Sequence, residues 1–506
     1  MKYLKKTQST IYLITISILS CTSISERDVR EKIIFTHTTS DFTNGRASTG
    51  GISLIDIDGD SDLDVYVSNG YDVSSTSPKP QKNRLYINDG LGGLHLDELS
   101  LLSNDSMFSS GSTWGDFNND GFIDVFITNQ RAQNNALFKG EGPGIFTKME
   151  SIVSGDRGHS YSANWVDVDA DGDLDLYVAN GGLSHREEDF LYRNEGRDSF
   201  VKVTSTGITK DTLSTIGGLW RDFNHDGLPD LYVSHRLSLD RVYFNQGNWE
   251  FEMVELEAPV IERYAFPKSA GTASDIDNDG DIDIYQTSLM GGANFLFIND
   301  GNGVFKFKES GALTSLGGHT YGATFADFNN DGVQEAVVAN WGSSAQFFSQ
   351  KQEGYEWVHT EVLGDQILFA STISSGDLNG DGKQDLLIPQ WPNSKGEFEE
   401  NHIYLNESRN VGNWLSIKLE GIKSNRSAIG ARIKIECING GKRLLVYDEV
   451  SSQQTWRSQS GLTKQLGVGH CKIIDTLRIE WPSSKVTELQ NVAVNQLLKI
   501  KEPNTD

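Results

Sequence analysis

Residues 165–178 read Trp-Val-Asp-Val-Asp-Ala-Asp-Gly-Asp-Leu-Asp-Leu-Tyr-Val. An apolar stretch enters, aspartates take every second place, and an apolar stretch leaves. Asp167, Asp169, Asp171 and Asp175 hold loop positions one, three, five and nine, with Asp173 at seven. A hard cation such as Ca²⁺ collects about six to eight oxygens. This spacing offers side chains from one, three, five and nine and a backbone carbonyl from seven. Gly172 at position six allows the positive φ that so tight a wrap requires. Carboxylates crowded this closely repel one another unless a cation lies among them.

The pattern occurs seven times. The first loop is Asp56, Asp58, Asp60, Asp62 and Asp64; the second is Asp116, Asn118, Asp120 and Asp124. After the loop at Asp167 come Asp222, Asn224, Asp226 and Asp230, then Asp275, Asp277, Asp279, Asp281 and Asp283. The sixth is Asp327, Asn329, Asp331 and Glu335, and the seventh Asp377, Asn379, Asp381 and Asp385. Successive loops start 60, 51, 55, 53, 52 and 50 residues apart. A fixed period near fifty means a propeller or an open array. These residues are the candidate ligands of up to seven structural Ca²⁺. Ser61 stands where the other loops have glycine at six, four loops carry Asn at three, and Glu335 replaces Asp at nine. Fewer carboxylates mean weaker binding, so the loops at Asp56, Asp167 and Asp275 are expected to hold Ca²⁺ tightest.

Each repeat lays out as four strands. One enters the loop and one leaves it. A third reads Arg-Leu-Tyr-Ile-Asn at 84–88 or a variant of that. A glycine turn such as Asn299-Asp-Gly-Asn-Gly303 leads to a fourth, which opens on Phe146, Phe200, Phe251 or Phe305 in four repeats. Asn-Gly and Asp-Gly turns are hairpin signals. Seven four-stranded units predict an all-β fold, a seven-bladed β-propeller over 33–408. The seventh unit stops after its third strand, while the chain opens on Ile33-Ile-Phe-Thr-His-Thr38, which reads as a fourth. That strand is expected to complete the last blade and remove two exposed sheet edges. Phe117, Tyr177, Phe223 and Phe328 beside the loops, with Trp165 and Trp220, are expected in the core.

The chain has 506 residues and a net charge of −26, which argues against a nucleic-acid partner. Twenty-four carboxylates sit at the four ligand positions of the loops, so most of the acidity is a metal requirement. Lys2, Lys5 and Lys6 precede apolar Ile11–Leu19 and then Ile18-Leu-Ser-Cys21, a secretory leader over 1–20. It resembles a bacterial lipoprotein signal, which implies lipidation of Cys21 and a polar tether over 21–32. The expected location is the outer membrane, cell surface or periplasmic face, with the lipid as the sole membrane contact. Cys437 and Cys471 remain, free to pair in an oxidising compartment. From 411 to 503 the period is gone. Alternating strands such as Trp414–Leu419 and Thr476–Glu480 predict a small all-β domain.

The Asp-x-[Asp/Asn]-x-Asp-Gly-x-x-Asp loops resemble the FG-GAP and VCBS repeats of integrin α-like propellers. Asn413-Trp-Leu415, Gly421, Ser424-Asn-Arg426, Ile429-Gly-Ala-Arg432, Gly467-Val-Gly469 and Trp481-Pro-Ser483 resemble the ASPIC and UnbV domain. Together they make the chain similar to the cartilage acidic protein family. The resemblance implies the propeller, calcium at the loop positions above, and a binding or adhesion role without a defined reaction.

No His-Glu-x-x-His, Walker loop or Gly-x-Ser-x-Gly elbow is present, and no catalytic residue is assigned. Antiparallel strands put all seven acidic loops on one face. The opposite face then carries the ligand candidates His159, Tyr161, His235, Arg236, His319, Tyr321, Trp341 and Trp391, a mixture suited to carbohydrate or to a protein partner. The expected function is a calcium-binding envelope module for carbohydrate or protein. The alternatives are a polysaccharide lyase or hydrolase using His159, His319 and Arg236, and a structural partner of another envelope protein.

Overall fold

The computed structural model describes residues 33–70, 79–182, 185–258 and 266–504, except 316, 352–353, 359–362, 364–366, 410 and 456. The leader, the tether and Cys21 lie outside the described residues.

Among the described residues, seven sheets of four antiparallel strands follow one another along the chain, the first of them joined by a fifth, parallel strand. The third is typical: Ser160–Val166, Asp175–Asn180, Phe190–Asn194 and Phe200–Val203 pair in sequence order. Phe35–Thr38 pairs antiparallel with His402–Asn406 and supplies the fourth strand of the seventh sheet. The first strands of neighbouring sheets touch all the way round, the last touching the first. The sheets therefore close into a ring, and the third strand of the seventh blade is not left as a bare edge.

A single side chain repeated at one register holds neighbouring blades together. The Asn that ends the third strand donates from Nδ2 to the carbonyl at loop position two of the preceding blade. Asn194 reaches Phe117, Asn245 reaches Val168, Asn299 reaches Phe223 and Asn406 reaches Phe328, each at 2.8 Å. Asn88 reaches Leu378 at 2.8 Å and so joins the first blade to the seventh. Gln350 does the same to Ile276 at 3.0 Å, and the second blade uses the backbone N–H of Gly144 to Ile57 at 3.1 Å. Between these bonds lie the expected aromatics. Phe117, Tyr177, Phe223, Phe328 and Trp165 are fully buried, and Trp220 nearly so. Phe117 stacks on Trp165 at 5.5 Å.

The C-terminal domain holds two sheets. One joins Lys464–Gly467, Trp414–Glu420 and Leu497–Lys501; the other joins Lys442–Glu449, Arg432–Asn439, Ile473–Glu480 and Val486–Ala493. Cys437 and Cys471 form a buried disulfide, Cα to Cα 6.1 Å. Its core is continuous with that of the propeller: Ile429, Leu415 and Trp481 share one cluster with Phe117, Trp165 and Leu174.

The ring's bore is not empty. Residues 451–455 and 457–463 leave the C-terminal domain and enter it, and Ser458–Ser460 pairs parallel with Ile52–Leu54 of the first blade. Small hydroxyls meet there. Ser458 lies 2.8 Å from Thr372, Ser460 2.8 Å from Ser374, and Thr455 3.0 Å from Thr272. Gln459 bonds the backbone of Trp114, and the Gln453 amide lies 2.9 Å from Ser162 Oγ. Arg457 is fully buried and its backbone presses on the first blade, where a Cβ on Gly51 would come within 2.2 Å of the Arg457 carbonyl oxygen. Glycine is required at 51 by that approach alone.

Truncating Asn194 to Ala removes two buried bonds and orphans the Phe117 and Leu174 carbonyls. At ~1–3 kcal/mol for each orphaned buried group, denaturant unfolding should show a loss of about 2–6 kcal/mol. A loss under about 0.5 kcal/mol would rule out the belt as a source of stability.

Candidate metal centres

Every loop is built by the same two carboxylates. The position-nine residue is the first of the second strand and is buried in all seven: Asp64, Asp124, Asp175, Asp230, Asp283, Glu335 and Asp385. One of its oxygens accepts the N–H of position two at 2.8–3.1 Å. In six blades the other accepts a third-strand N–H at 2.7–2.9 Å. Glu335, one methylene longer, turns its second oxygen to Asn329 Nδ2 instead. In five loops, the second and the fourth to seventh, the position-one carboxylate takes N–H groups from positions five and six, as Asp116 does from Asp120 and Gly121. Gly121, Gly172, Gly227, Gly280, Gly332 and Gly382 have positive φ at position six, and Ser61 is held at φ +86° in the same place. A left-handed serine is strained, so the first loop keeps the shape at a cost.

Three loops gather oxygens within 4.8 Å of one another: Asp56, Asp58 and Asp60; Asp167, Asp169 and Asp171; and Asp275, Asp277 and Asp283. These are the loops with carboxylates at one, three, five and nine. Among the described residues, Oδ1 of Asp167 and of Asp169 is buried without a hydrogen-bond partner, as is Asp62 Oδ1. Buried oxygens without donors are costly, and an all-oxygen donor set converging on one point fits Ca²⁺. In those loops positions one, three, five and nine would hold the ion, and its chemistry would be charge neutralisation. Elsewhere the loop interior contains its own donor. Asn118 Nδ2 bonds Asp120, Asn224 Nδ2 bonds Asp226, and Lys383 pairs with Asp381 at 2.8 Å.

Burial first, and neighbouring carboxylates next, push Asp167 and Asp275 up to about 7. Burial likewise carries Asp124, Asp230, Asp283 and Asp385 to about 8 against the ordinary 3.8, with backbone N–H bonds opposing.

The loop face is covered by the C-terminal domain. Lys418 Nζ lies 2.7 Å from Asp56, Arg432 Nη1 3.1 Å from Asp222, and Arg426 Nε 3.8 Å from Asp116. Ser427 Oγ accepts the Asp116 N–H at 2.8 Å. Trp414, Leu444, Tyr447 and the Lys423 carbonyl sit over the position-six glycines of the seventh, sixth, fifth and third loops. A cleft of about 420 Å³ remains between the first two loops and Lys418, Lys499 and Lys501.

The opposite face gathers some ligand candidates and buries others. Tyr161 and Trp391 are packed with Ile216, and Tyr321 and Trp341 pack against that cluster. Tyr321 meets Trp391 edge-on at 4.5 Å, above the Arg457 end of the plug. His319 meets Trp341 at 5.8 Å. His159 stacks on His185 at 3.5 Å and bonds Glu187 at 2.5 Å, so His185 and Glu187, which the sequence alone does not single out, join His159 on this face. His235 is 2% exposed, its Nδ1 on the Leu239 carbonyl, and burial lowers it to about 4. Arg236 reaches the Lys268 carbonyl. Asn69, Asn129, Asn180 and Asn340 end second strands as buried turn anchors. The N–H groups of the first three bond Asn83, Asn135 and Asp189 at 2.8 Å.

The loops, the belt and the cover agree with what sequence comparison finds. The FG-GAP-like repeat model matches residues 56–127, 116–178, 222–285 and 275–338, and the FG-GAP repeat model matches 369–397. The ASPIC and UnbV model matches 421–506. The chain is an FG-GAP repeat protein with a C-terminal ASPIC and UnbV domain. It is homologous to cartilage acidic protein 1. The mouse protein is 22% identical over 326 residues, 58% of this chain and 49% of the relative. The human protein is 22% identical with 58% and 48% covered, and the Xenopus tropicalis protein 23% identical with 58% and 49% covered. The chain thus spans about half the length of the curated relatives it matches. Among solved structures, an Agrocybe aegerita lectin described as recognising non-reducing terminal N-acetylglucosamine has TM-score 0.44 and 14% identity, with 66% of this chain and 82% of that one covered. Virginiamycin B lyase of Staphylococcus aureus has TM-score 0.44 and 9% identity, with 74% and 98% covered. Likeness at that level transfers neither ligand nor reaction.

A pH dependence arises from the raised carboxylates. The metal-free folded chain holds protons that the unfolded chain releases above about pH 4, so its stability falls as pH climbs from about 4 to about 8. Melting the chelated protein across that range should show the decline, and saturating Ca²⁺ should reduce it by the share that comes from the loops it fills. A chelated protein stabilised by rising pH would refute the assignment.

Proposed function

We propose that this chain is a Ca²⁺-stabilised extracellular binding module of adhesion type, whose ligand surface is the propeller face opposite the acidic loops. The observation that carries this reading is the cover: the C-terminal domain lies on the loop face, and the other face keeps His159, His185, Arg236, His319, Tyr321 and Trp341 at least partly open to solvent. Half-exposed aromatics beside imidazole and guanidinium groups suit the apolar faces and hydroxyls of a sugar, or an exposed peptide. The converging carboxylates of the first, third and fifth loops support a structural role for Ca²⁺. The buried disulfide supports an oxidising compartment, in keeping with a secreted, lipid-anchored protein.

Two measurements test this. Chelation should lower the melting temperature, since one Ca²⁺ at a hundredfold excess over its Kd contributes about 2.7 kcal/mol; an unchanged melting curve refutes structural calcium. In affinity gel electrophoresis of the chain from Thr22 through a panel of polysaccharides, Ca²⁺-dependent retardation with the polymer intact is expected. Tyr321→Ala with Trp341→Ala should abolish it while the melting curve stays cooperative. Retardation that survives both substitutions moves the ligand off this face. Retardation by no polymer overturns carbohydrate as the ligand, and a cleared polymer zone overturns the non-catalytic reading.

A further inference from the structure

The seven loops are alike in sequence and unlike in surroundings, a difference that matters only if they take Ca²⁺ as proposed above. Two of them face a guanidinium supplied by the C-terminal domain. Arg432 Nη1 is 3.1 Å from Asp222 Oδ2, and that aspartate is 7% exposed. Arg426 Nε is 3.8 Å from Asp116 Oδ2, and its guanidinium packs on the loop's glycine, where a Cβ on Gly121 would meet Nη2 at 3.2 Å. The oxygens addressed are those of position one, the residue that begins each ligand set. These are also two of the loops with Asn at position three, whose amide N–H points at the position-five carboxylate, Asn118 to Asp120 at 3.0 Å and Asn224 to Asp226 at 2.9 Å. A cation in either loop would lie against a fixed positive charge and an inward N–H donor. Neither loop belongs to the three whose oxygens converge.

The contrast with the third and fifth loops is what decides it. There the C-terminal domain brings a backbone carbonyl over Gly172 and the Tyr447 ring over Gly280. Among the described residues, no ion pair joins a lysine or arginine of that domain to Asp167 or Asp275. Asp167 Oδ1, in a residue 5% exposed, has no donor. The domain pairs a guanidinium with the position-one carboxylate of two loops that have three carboxylates and makes no such pair, among the described residues, in two that have four; Arg432 acts on the fifth loop only at Asp281, position seven. The first loop is intermediate: Lys418 reaches Asp56, yet Asp56, Asp58 and Asp60 still converge.

We propose that Arg426 and Arg432 are built-in counter-cations that occupy the role of Ca²⁺ in the second and fourth loops, so that these two loops bind no metal while the C-terminal domain is docked. Both arginines lie in the stretches Ser424-Asn-Arg426 and Ile429-Gly-Ala-Arg432 that carry the domain's resemblance. The docking of the domain is thereby written in the same carboxylates as the metal sites. Divalent cations and the domain compete for the second and fourth loops, and they do not compete for the third and fifth.

The test is a Ca²⁺ count by equilibrium dialysis on the metal-free full chain, with Ca²⁺ alone as the probe. The parent should bind no more than five ions. Arg426→Gln with Arg432→Gln should bind up to two more, and Arg426→Lys with Arg432→Lys should match the parent. Should the glutamine variant fail to fold, Asp116→Asn with Asp222→Asn serves: it should keep the parent's count, because the ligands removed hold no metal. Seven ions on the parent, an unchanged count in the glutamine variant, or a loss of two in the asparagine variant overturns the proposal while leaving structural calcium intact. No ion bound to the parent overturns both.

Discussion

The buried carboxylate at position nine is the constraint on which the rest of this structure depends. Placed at the first residue of each second strand, it bonds the entering end of its own loop and the strand beyond. One side chain therefore fixes the width of the loop, the register of strands two and three, and the carbonyl at position two that the next blade grips. Were it absent, the Asn belt would have no fixed acceptor. Dependence runs in that order: carboxylate, loop, carbonyl, ring. The same burial that makes the clamp rigid makes the charge expensive, and a propeller built from seven such clamps carries a standing demand for positive charge.

The C-terminal domain supplies positive charge to three of the loops through Lys418, Arg426 and Arg432. That explains why the domain's contact surface combines basic side chains with Trp414, Leu444 and Tyr447. The charges meet buried Asp116 and Asp222 and half-buried Asp56, and the apolar groups lie over the position-six glycines of three other loops. The shared core from Phe117 through Ile429 to Trp481 makes the two parts one hydrophobic unit.

Much of this was legible in the chain. The two-residue alternation of Asp167 to Asp175 and its sevenfold repeat determine the blades, and Ile33–Thr38 resembled a fourth strand closely enough to place the closure. The buried aromatics followed from strand alternation. What escaped was everything that needs two distant segments at once. The plug's Ser451–Ser460 is a mostly polar stretch, five of its ten residues Ser or Thr, that reads locally as a loop. Its partners, such as Ser109-Ser-Gly-Ser-Thr113 and Ser371–Ser375, read as indifferent strands. Set side by side, two polar and glycine-rich surfaces signal a filled bore, but no spacing rule links residue 53 to residue 459. Asn69, Asn129, Asn180 and His235 illustrate the opposite difficulty. Their residue types suit a ligand, yet three of them anchor buried turns, and His235 is sealed under its own loop, because an N–H at the end of a strand also wants an oxygen.

The parallel pairing of Ile52–Leu54 with Ser458–Ser460 sets an order of events during synthesis. The first blade emerges some four hundred residues before the strand that completes its inner edge. A growing chain that has already closed its ring still presents a water-filled shaft lined with hydroxyls and an unpaired inner edge. Only the arrival of the last domain dries it. Non-local pairings of this kind are slow to form, so the shaft is among the last parts of the propeller to be sealed, and a stoppered shaft marks a finished chain.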